Sequence, residues 1–522
     1  MLKNMAILIM FTIILGLGDT HLVRVELTEQ RLTPLAENGL RIIGELEHCA
    51  FILADDSEFD DIGSQNYEIL DTNPRDGDYY LVHTVDQTLN LTEFGDILTQ
   101  GNENYLLRVG QNMLEPLLKQ KVMLKRLTFT PKVLRDETLL PPVFFNYTVQ
   151  EMVNLVDADS IFDNVQRLQD YVTRYSTHDS CFAAADYIAD KFNTYGCDSV
   201  YFQYHTAGHA PNVIGIKHGS VYPDSIYAVI CGHFDATSYL APDIAPGADD
   251  NASGTAAVIE AVRVMNGYEF DRSIRYIAFS GEEFGLYGSE YYAQLAHSQG
   301  DSILGVLNSD MIAYADMQPE TLEVIAKISN PNCEPFADFF IAAADTYTTL
   351  LSRKRMTYSM VYSDHAPFWD NGYLALCSIE DWYVVNPYYH TPGDTIGAGY
   401  NDHAFCTEVT KAEIATLALL ANPVGTGVEE YTETAVQNLT LNVHPNISNG
   451  HFTFTINNNQ SGNALDIQIY DALGRVVKNM RILDQAAWNG TDDSGRILSE
   501  GIYFVGVAGK SKLPKAKIVL LR

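Results

Sequence analysis

Positive charge is what this sequence has least of. Its 522 residues carry 33 Lys and Arg against 67 Asp and Glu, a formal net charge of -34. Nothing in that balance neutralises phosphates, so nucleic acid is excluded as a partner class. The acidity reads first as a well-solvated surface and second as an attraction for cations. Cysteines are few and odd in number, at 49, 181, 197, 231, 333, 377 and 406, which excludes complete pairing within the chain. Cys181 and Cys197 flank AAADYIADKFNTYG, a predicted helix, and could clip its two ends together. Cys231 and Cys377 fall in apolar strand-like runs and read as buried small hydrophobes. Long hydrophobic runs are missing beyond the first residues, so no later stretch is expected to cross a bilayer. The exception is MLKNMAILIMFTIILGLGD. Lys3 supplies a positive start, Met5–Leu17 is too short for a comfortable span, and Gly16 and Gly18 suit a cleavage site. Residues 1–18 are therefore expected to be a secretory signal, with an uncleaved anchor as the alternative.

With 46% hydrophobic residues the remainder is ordinary globular protein, and its length calls for two to four domains. Residues 22–130 read as an N-terminal α/β region without clustered metal ligands or nucleophiles. Two of its segments, from Glu47 and from Glu103, share a pattern of strand, polar turn, short helix and second strand, which suggests a duplicated unit. A pro-segment, a folding aid and a plain structural module all fit it. The paired prolines at 141–142 mark a linker. From 150 to 422 helical patterns alternate with apolar strand-like runs, including SIYAVICGH, SIRYIAFS, ILGVLNSDM and YLALCSIE. That alternation predicts an α/β fold, a mostly parallel sheet flanked by helices. After the polar hinge PVGTGVEEYTETAVQ, residues 437–522 alternate apolar and polar positions between turn signals, as in a small antiparallel β-sandwich.

The chemistry lies in short segments of the middle region. GHFD ends a predicted strand, where side chains two apart share a face, so Asp235 can accept the second N–H of a metal-binding His233. GADDNASG sets Asp249 in a glycine-bracketed loop that Asn251 or Ser253 can cap. In SGEEFGLYGS the adjacent Glu282 and Glu283 diverge, so one can bind metal while the other takes a proton from metal-activated water. Asp310 follows a strand in NSDM, and His390 opens YHTPGDT. Two imidazoles and three carboxylates (His233, Asp249, Glu283, Asp310 and His390) form a nitrogen/oxygen set that zinc accepts, with no thiolate to close it. Three of these segments directly follow strands, whose carboxyl ends are where ligand sites gather in open α/β sheets.

With GHFD, PGADDNASG, SGEEFGLYGS, SDM, SDH and YHTPGDT in that order, residues of about 150–422 resemble the secreted co-catalytic di-zinc aminopeptidases of peptidase family M28, relatives of bacterial leucyl aminopeptidase. The resemblance implies a zinc exopeptidase fold, two zinc ions per chain and hydrolysis of N-terminal residues from peptide or protein substrates. It implies that Asp249 bridges the ions, that His233 and Asp310 complete one, and that Glu283 and His390 complete the other. Glu282 would be the general acid and base, Asp235 the group that orients His233, and the family's unusual cis peptide would join Asp249 to Asp250. One position departs from the pattern. The oxyanion-assisting tyrosine before SDH is replaced by Met360, and the neighbouring cysteine positions hold Tyr358 and Tyr362. Met311, Tyr358, Tyr362, Trp382 and Tyr389 are candidates for an apolar substrate pocket.

Around SDH and YHTP the only basic residues are Arg353, Lys354 and Arg355, which favours capture of a free amine over that of a carboxylate. The alternatives are a glutaminyl-peptide cyclase or a carboxypeptidase of the same fold, and a surface-displayed binding protein with a metal-stabilised relic site. The final region, with VHPNISNGHFTF, IYDALGRVV, WNGTDDSGRILSEGIYFV and KAKIVLLR, resembles the type IX secretion sorting domain. It implies passage through that secretion machinery to the medium or the cell surface.

Overall fold

The computed structural model describes residues 20–521, apart from 28–31, 47, 64, 87, 102, 134–139, 141–142, 144, 382–384, 425–439, 458–464, 472–474, 484 and 508–515. The expected signal at 1–18, most of both linkers and Trp382 thus lie outside the described residues. The chain divides into two units, one of residues 1–140 with 155–423, the other of 141–154 with 424–522.

The first unit opens with eight strands: β1 (His21–Glu26), β2 (Arg41–Leu46), β3 (Cys49–Ala54), β4 (Tyr67–Asp71), β5 (Tyr79–Thr84), β6 (Gly95–Gln100), β7 (Asn104–Val109) and β8 (Val122–Arg126). They form two antiparallel four-stranded sheets of matching order, β2-β3-β1-β4 and β6-β7-β5-β8. The segments that echo one another in sequence occupy corresponding places, β3 to β4 and β7 to β8, each pair bridged by one short helical turn. The two sheets differ in what covers them. β4 is largely exposed, whereas β8 is buried along nearly its whole length.

A second sheet system follows in the same unit: β9 (Ser199–Gln203), β10 (Asn212–Lys217), β11 (Tyr222–His233), β12 (Arg272–Phe279), β13 (Ser302–Ser309), β14 (Thr321–Lys327), β15 (Leu351–Thr357) and β16 (Ala375–Ile379). They assemble in the order β15-β14-β16-β13-β11-β12-β10-β9. The central strands β16, β13, β11 and β12 are mutually parallel, and antiparallel pairings occur towards the margins, at β14 with β16 and from β12 outwards to β10 and β9. Parallel strands need crossover helices, and the central runs are apolar on both faces because helices cover them. Gly254–Met265, buried almost all round, and His403–Ala421 pack on β11, while His365–Asp370 packs on β13 and β16.

The second unit holds a three-stranded sheet (Thr440–His444, Phe452–Asn457, Gln485–Trp488) and a five-stranded sheet (Ile447–Ser448, Ala516–Leu520, Gly501–Val507, Leu465–Tyr470, Val476–Ile482). Phe452, Phe454, Ile467, Ile469, Trp488, Val505 and Ile518 form its own core. Residues 141–154 belong to this unit rather than to the middle region, since Phe145 packs on Phe504 with ring centres 5.7 Å apart. Cys181 and Cys197 are not joined to each other, so the clip expected between them does not form; Cys197 instead takes a weak hydrogen bond from Asn266 at 3.4 Å. Among the described residues, no helix is long and apolar enough to cross a membrane.

Candidate metal centre

The parallel strands all point one way, so the segments after their carboxyl ends meet. His233 is the last residue of β11, Glu282 and Glu283 follow β12, and Asp310 follows β13. All are buried, as are Asp250 and His390. His233 Nε2 lies 3.4 Å from Asp310 Oδ1 and 3.8 Å from Glu282 Oε2, and His390 Nε2 lies 2.9 Å from Glu283 Oε2.

The residue between the two rings is Asp250. Its Oδ1 is 3.4 Å from His233 Nε2 and its Oδ2 is 3.4 Å from His390 Nε2, so one carboxylate offers an oxygen to each side. This corrects the expectation for Asp249. The Asp249 carboxylate turns away, accepting from the Ala313 N–H at 2.9 Å and from Asn386 Nδ2 at 2.8 Å. The cis peptide is displaced by the same single residue and joins Asp250 to Asn251. Adjacent carboxylates on an irregular loop face different ways, and their order in the chain carries no sign of which faces inward.

Several residues hold this loop in place that the sequence did not single out for the task. Asp394, from the PGDT stretch after His390, accepts the N–H groups of Asp249 and Asp250 through its two oxygens, each at 3.0 Å. Burial, opposed by those two N–H groups and compounded by the Asp250 charge, pushes its carboxyl up to about 7. Arg174 is fully buried and donates to the carbonyls of Gly247, Phe234, Leu168 and Pro246. Gly247 has φ +50, and a Cβ there would lie 2.2 Å from the Asp250 carbonyl oxygen, so the loop needs glycine. Arg174 stands outside every motif, and nothing in its neighbours marks it. Met311 and His390 hold φ of 52° and 53°, left-handed values that cost non-glycine residues about 1–3 kcal/mol and gather at working sites.

Asp235 lies beside His233 as expected, with a different division of labour. The ring Nδ1 donates to the Asp235 backbone carbonyl at 3.1 Å, and the carboxylate is 3.7 Å away. Asp235 Oδ1 accepts the Glu282 N–H at 3.3 Å, so the residue ties the end of β11 to the Glu282 loop. Glu283 Oε1 accepts the Thr237 N–H at 3.1 Å.

The electrostatics ask for cations. Burial alone would lower both histidines, yet Glu282 and Asp310 drive His233 well above its usual range, and Glu283 and Asp250 take His390 up to about 10. Burial raises Glu282 far above the usual carboxylate range, with Asp310 and Glu283 adding to it against His233. Burial lifts Glu283 to about 7, with His390 opposing and Asp250 adding. Asp310 Oδ1 is buried without a hydrogen-bond donor. Four carboxylates, one of them with an orphaned oxygen, and two imidazoles in so small a volume fit divalent metal ions. Within it, ligand atoms of His233, Glu282 and Asp310, and of His233, Asp250 and Glu283, cluster tightly enough to hold an ion.

Beside the centre lies a small pocket lined by Met123, Met311, Ile325, Met360, Tyr362, Ile379 and Tyr389 together with the metal-centre side chains. Tyr358 is not part of that lining. The Tyr362 hydroxyl donates to Asn104 Oδ1 at 2.7 Å and the Tyr389 hydroxyl to the Val122 carbonyl at 3.3 Å, so each already has an acceptor. Arg353 and Arg355 bind Glu323, and Lys354 binds Glu334 and Asp338; no Lys or Arg lines the cavity among the described residues.

Comparison with known proteins places this centre in a family. Residues 212–407 match the model of peptidase family M28, and residues 442–521 match that of the secretion system C-terminal sorting domain. A probable leucine aminopeptidase of Arthroderma benhamiae is 30% identical over 271 residues, covering 48% of this chain and 70% of that protein. A probable aminopeptidase of Saccharomyces cerevisiae is 26% identical over 327 residues, covering 56% and 86%. The crystal structure of LapB from Legionella pneumophila superposes with a TM-score of 0.51 at 19% identity, over 77% of this chain and all of that one, a likeness of fold. The chain belongs to peptidase family M28 and is a metallo-exopeptidase. Its sorting domain marks it as a secreted or cell-surface protein.

Proposed function

We propose that the protein is a zinc-dependent aminopeptidase that holds two ions and removes N-terminal residues from peptides, reaching the outside through type IX secretion machinery. The observation that carries the two-ion reading is the position of Asp250, one oxygen towards each histidine at 3.4 Å. His233 and Asp310 would complete one ion, Glu283 and His390 the other, and Asp250 would bridge them. When bound, zinc supplies Lewis-acid polarisation of the scissile carbonyl and acidifies water. Glu282, buried against His233 and free of metal duties in this assignment, takes a proton from the attacking water and returns it to the leaving amine. Asp235 keeps His233 in its working tautomer through its main-chain carbonyl and holds the Glu282 loop through its carboxylate. A cavity of mostly apolar walls without Lys or Arg suits an apolar first side chain next to a free amine, and does not suit a C-terminal carboxylate.

Glu282→Ala is expected to retain both metals while kcat falls by about 10²–10⁴. Metal content by mass spectrometry and turnover of Leu-p-nitroanilide measure the two. Undiminished turnover in that variant would sink the mechanism. Release of pyroglutamate from a Gln-terminal peptide, with no cleavage of a Leu-terminal one, would mark a cyclase instead.

A further inference from the structure

The N-terminal sheets do not end at the border of the middle region. β8 alternates, as a strand must. Val122 and Leu124 face a core that also contains Tyr80, Leu107 and Leu118, and into which the middle region contributes Tyr175, Ala241 and Phe284. Lys125 forms a buried ion pair with Asp370 of the middle region, and Met123 lines the cavity that contains the metal-centre side chains.

The turn before β8 and the start of the strand are tied to the middle region by three hydrogen bonds to main-chain carbonyls, donated from both sides. His390 Nδ1 donates to Gln120 at 3.3 Å, Lys121 Nζ reaches back to the Pro387 carbonyl at 2.8 Å, and Tyr389 donates to Val122 at 3.3 Å. The partner that orients His390, through the ring nitrogen facing away from the centre, is thus supplied by the N-terminal sheets. Asp370 further binds Lys132, and Glu45 binds Lys327; the Glu45 and lysine side chains are buried and Asp370 is partly so. Parting the two regions would expose a shared apolar core and break these ion pairs.

We propose that the N-terminal sheets are a permanent wall of the substrate pocket and that Met123 sets the size of the first side chain the enzyme accepts. This rests on the aminopeptidase reading. Met123 is 8% exposed, an unbranched thioether in the lining of the pocket, so its length bears on how much room remains.

The test uses the full-length, zinc-loaded enzyme and Ala-, Leu- and Phe-p-nitroanilide, comparing the wild type with Met123→Ala, Met123→Leu and Met123→Phe. Zinc content and thermal melting are recorded for each, and Met123→Leu keeps the volume should a larger change impair folding. Met123→Ala is expected to raise the Phe-to-Ala ratio of kcat/KM by about tenfold, Met123→Phe to lower it by a similar factor, and Met123→Leu to shift it by less than about threefold. Ratios unchanged within about twofold in folded, active Met123→Ala and Met123→Phe overturn this proposal alone. So does a parallel rise for all three substrates in Met123→Ala, which would make the residue a plug over the site rather than a gauge within it. A wild type inactive on every substrate overturns the aminopeptidase reading and this proposal with it.

Discussion

At the scale of single residues, neighbouring acids divide the labour. Asp250 faces both histidines, and Asp249 braces the loop through Ala313 and Asn386. Asp250→Asn is therefore expected to lose bound metal and lower kcat/KM at least about 10²-fold, the scale on which perturbing a site's supporting groups acts. Asp249→Ala is expected to keep its metal yet melt earlier, since leaving two buried donors unpaired costs about 1–3 kcal/mol for each. Metal analysis beside thermal denaturation distinguishes the two. The sequence made His233, Glu282, Glu283, Asp310 and His390 legible, because each is flagged by a strand end or a marked loop. It could not rank Asp249 against Asp250, for which only the path of the backbone decides. The carboxylate of Asp394, which fixes that path, sits inside a stretch noticed for His390.

At the scale of elements, the join between β8 and the helix His365–Asp370 is ionic and buried. Burial would raise Asp370, but Lys125, Lys132 and Lys327 outweigh it and hold its carboxyl well below the usual range; Glu45 is depressed in the same way by Lys327 and Lys132. A folded-state value below the unfolded one contributes stability that is fully present above the unfolded value, near pH 4, and is lost as the pH falls towards the folded value. The melting temperature of metal-stripped protein should therefore fall through that window. Asp370→Asn should start lower at neutral pH and fall less steeply in acid, as followed by circular dichroism. The central strands were legible from their continuous apolar runs. The margins were not: β9 is half-exposed and β15, LSRKRMT, reads as polar chain, because a strand at the edge of a sheet has less apolar surface to bury.

At the scale of the whole molecule, every residue assigned to the metal centre lies in the first unit, and the second has a core of its own. A chain ending at residue 423, which keeps the whole first unit and only residues 141–154 of the second, is thus expected to keep kcat/KM within about twofold and to lose export, since a unit with its own core can in principle fold alone. Comparing activity in lysate and medium measures both, and loss of activity from the purified shortened enzyme would contradict the division. The catalytic and sorting regions were readable from their sequence patterns. The packing of the N-terminal sheets against the catalytic region was not, because a shared interface is written in apolar residues that look like ordinary core.

The two N-terminal sheets have the same strand order, yet β4 faces solvent while the strand in its place, β8, is built into the pocket. One of two sheets of like order thus lines the pocket, and the other does not. On the proposal made for Met123, part of the selectivity is inherited outside residues 233–390, the stretch that carries the ligands and the rest of the lining. Drift at one strand position would then alter the diet without touching a ligand.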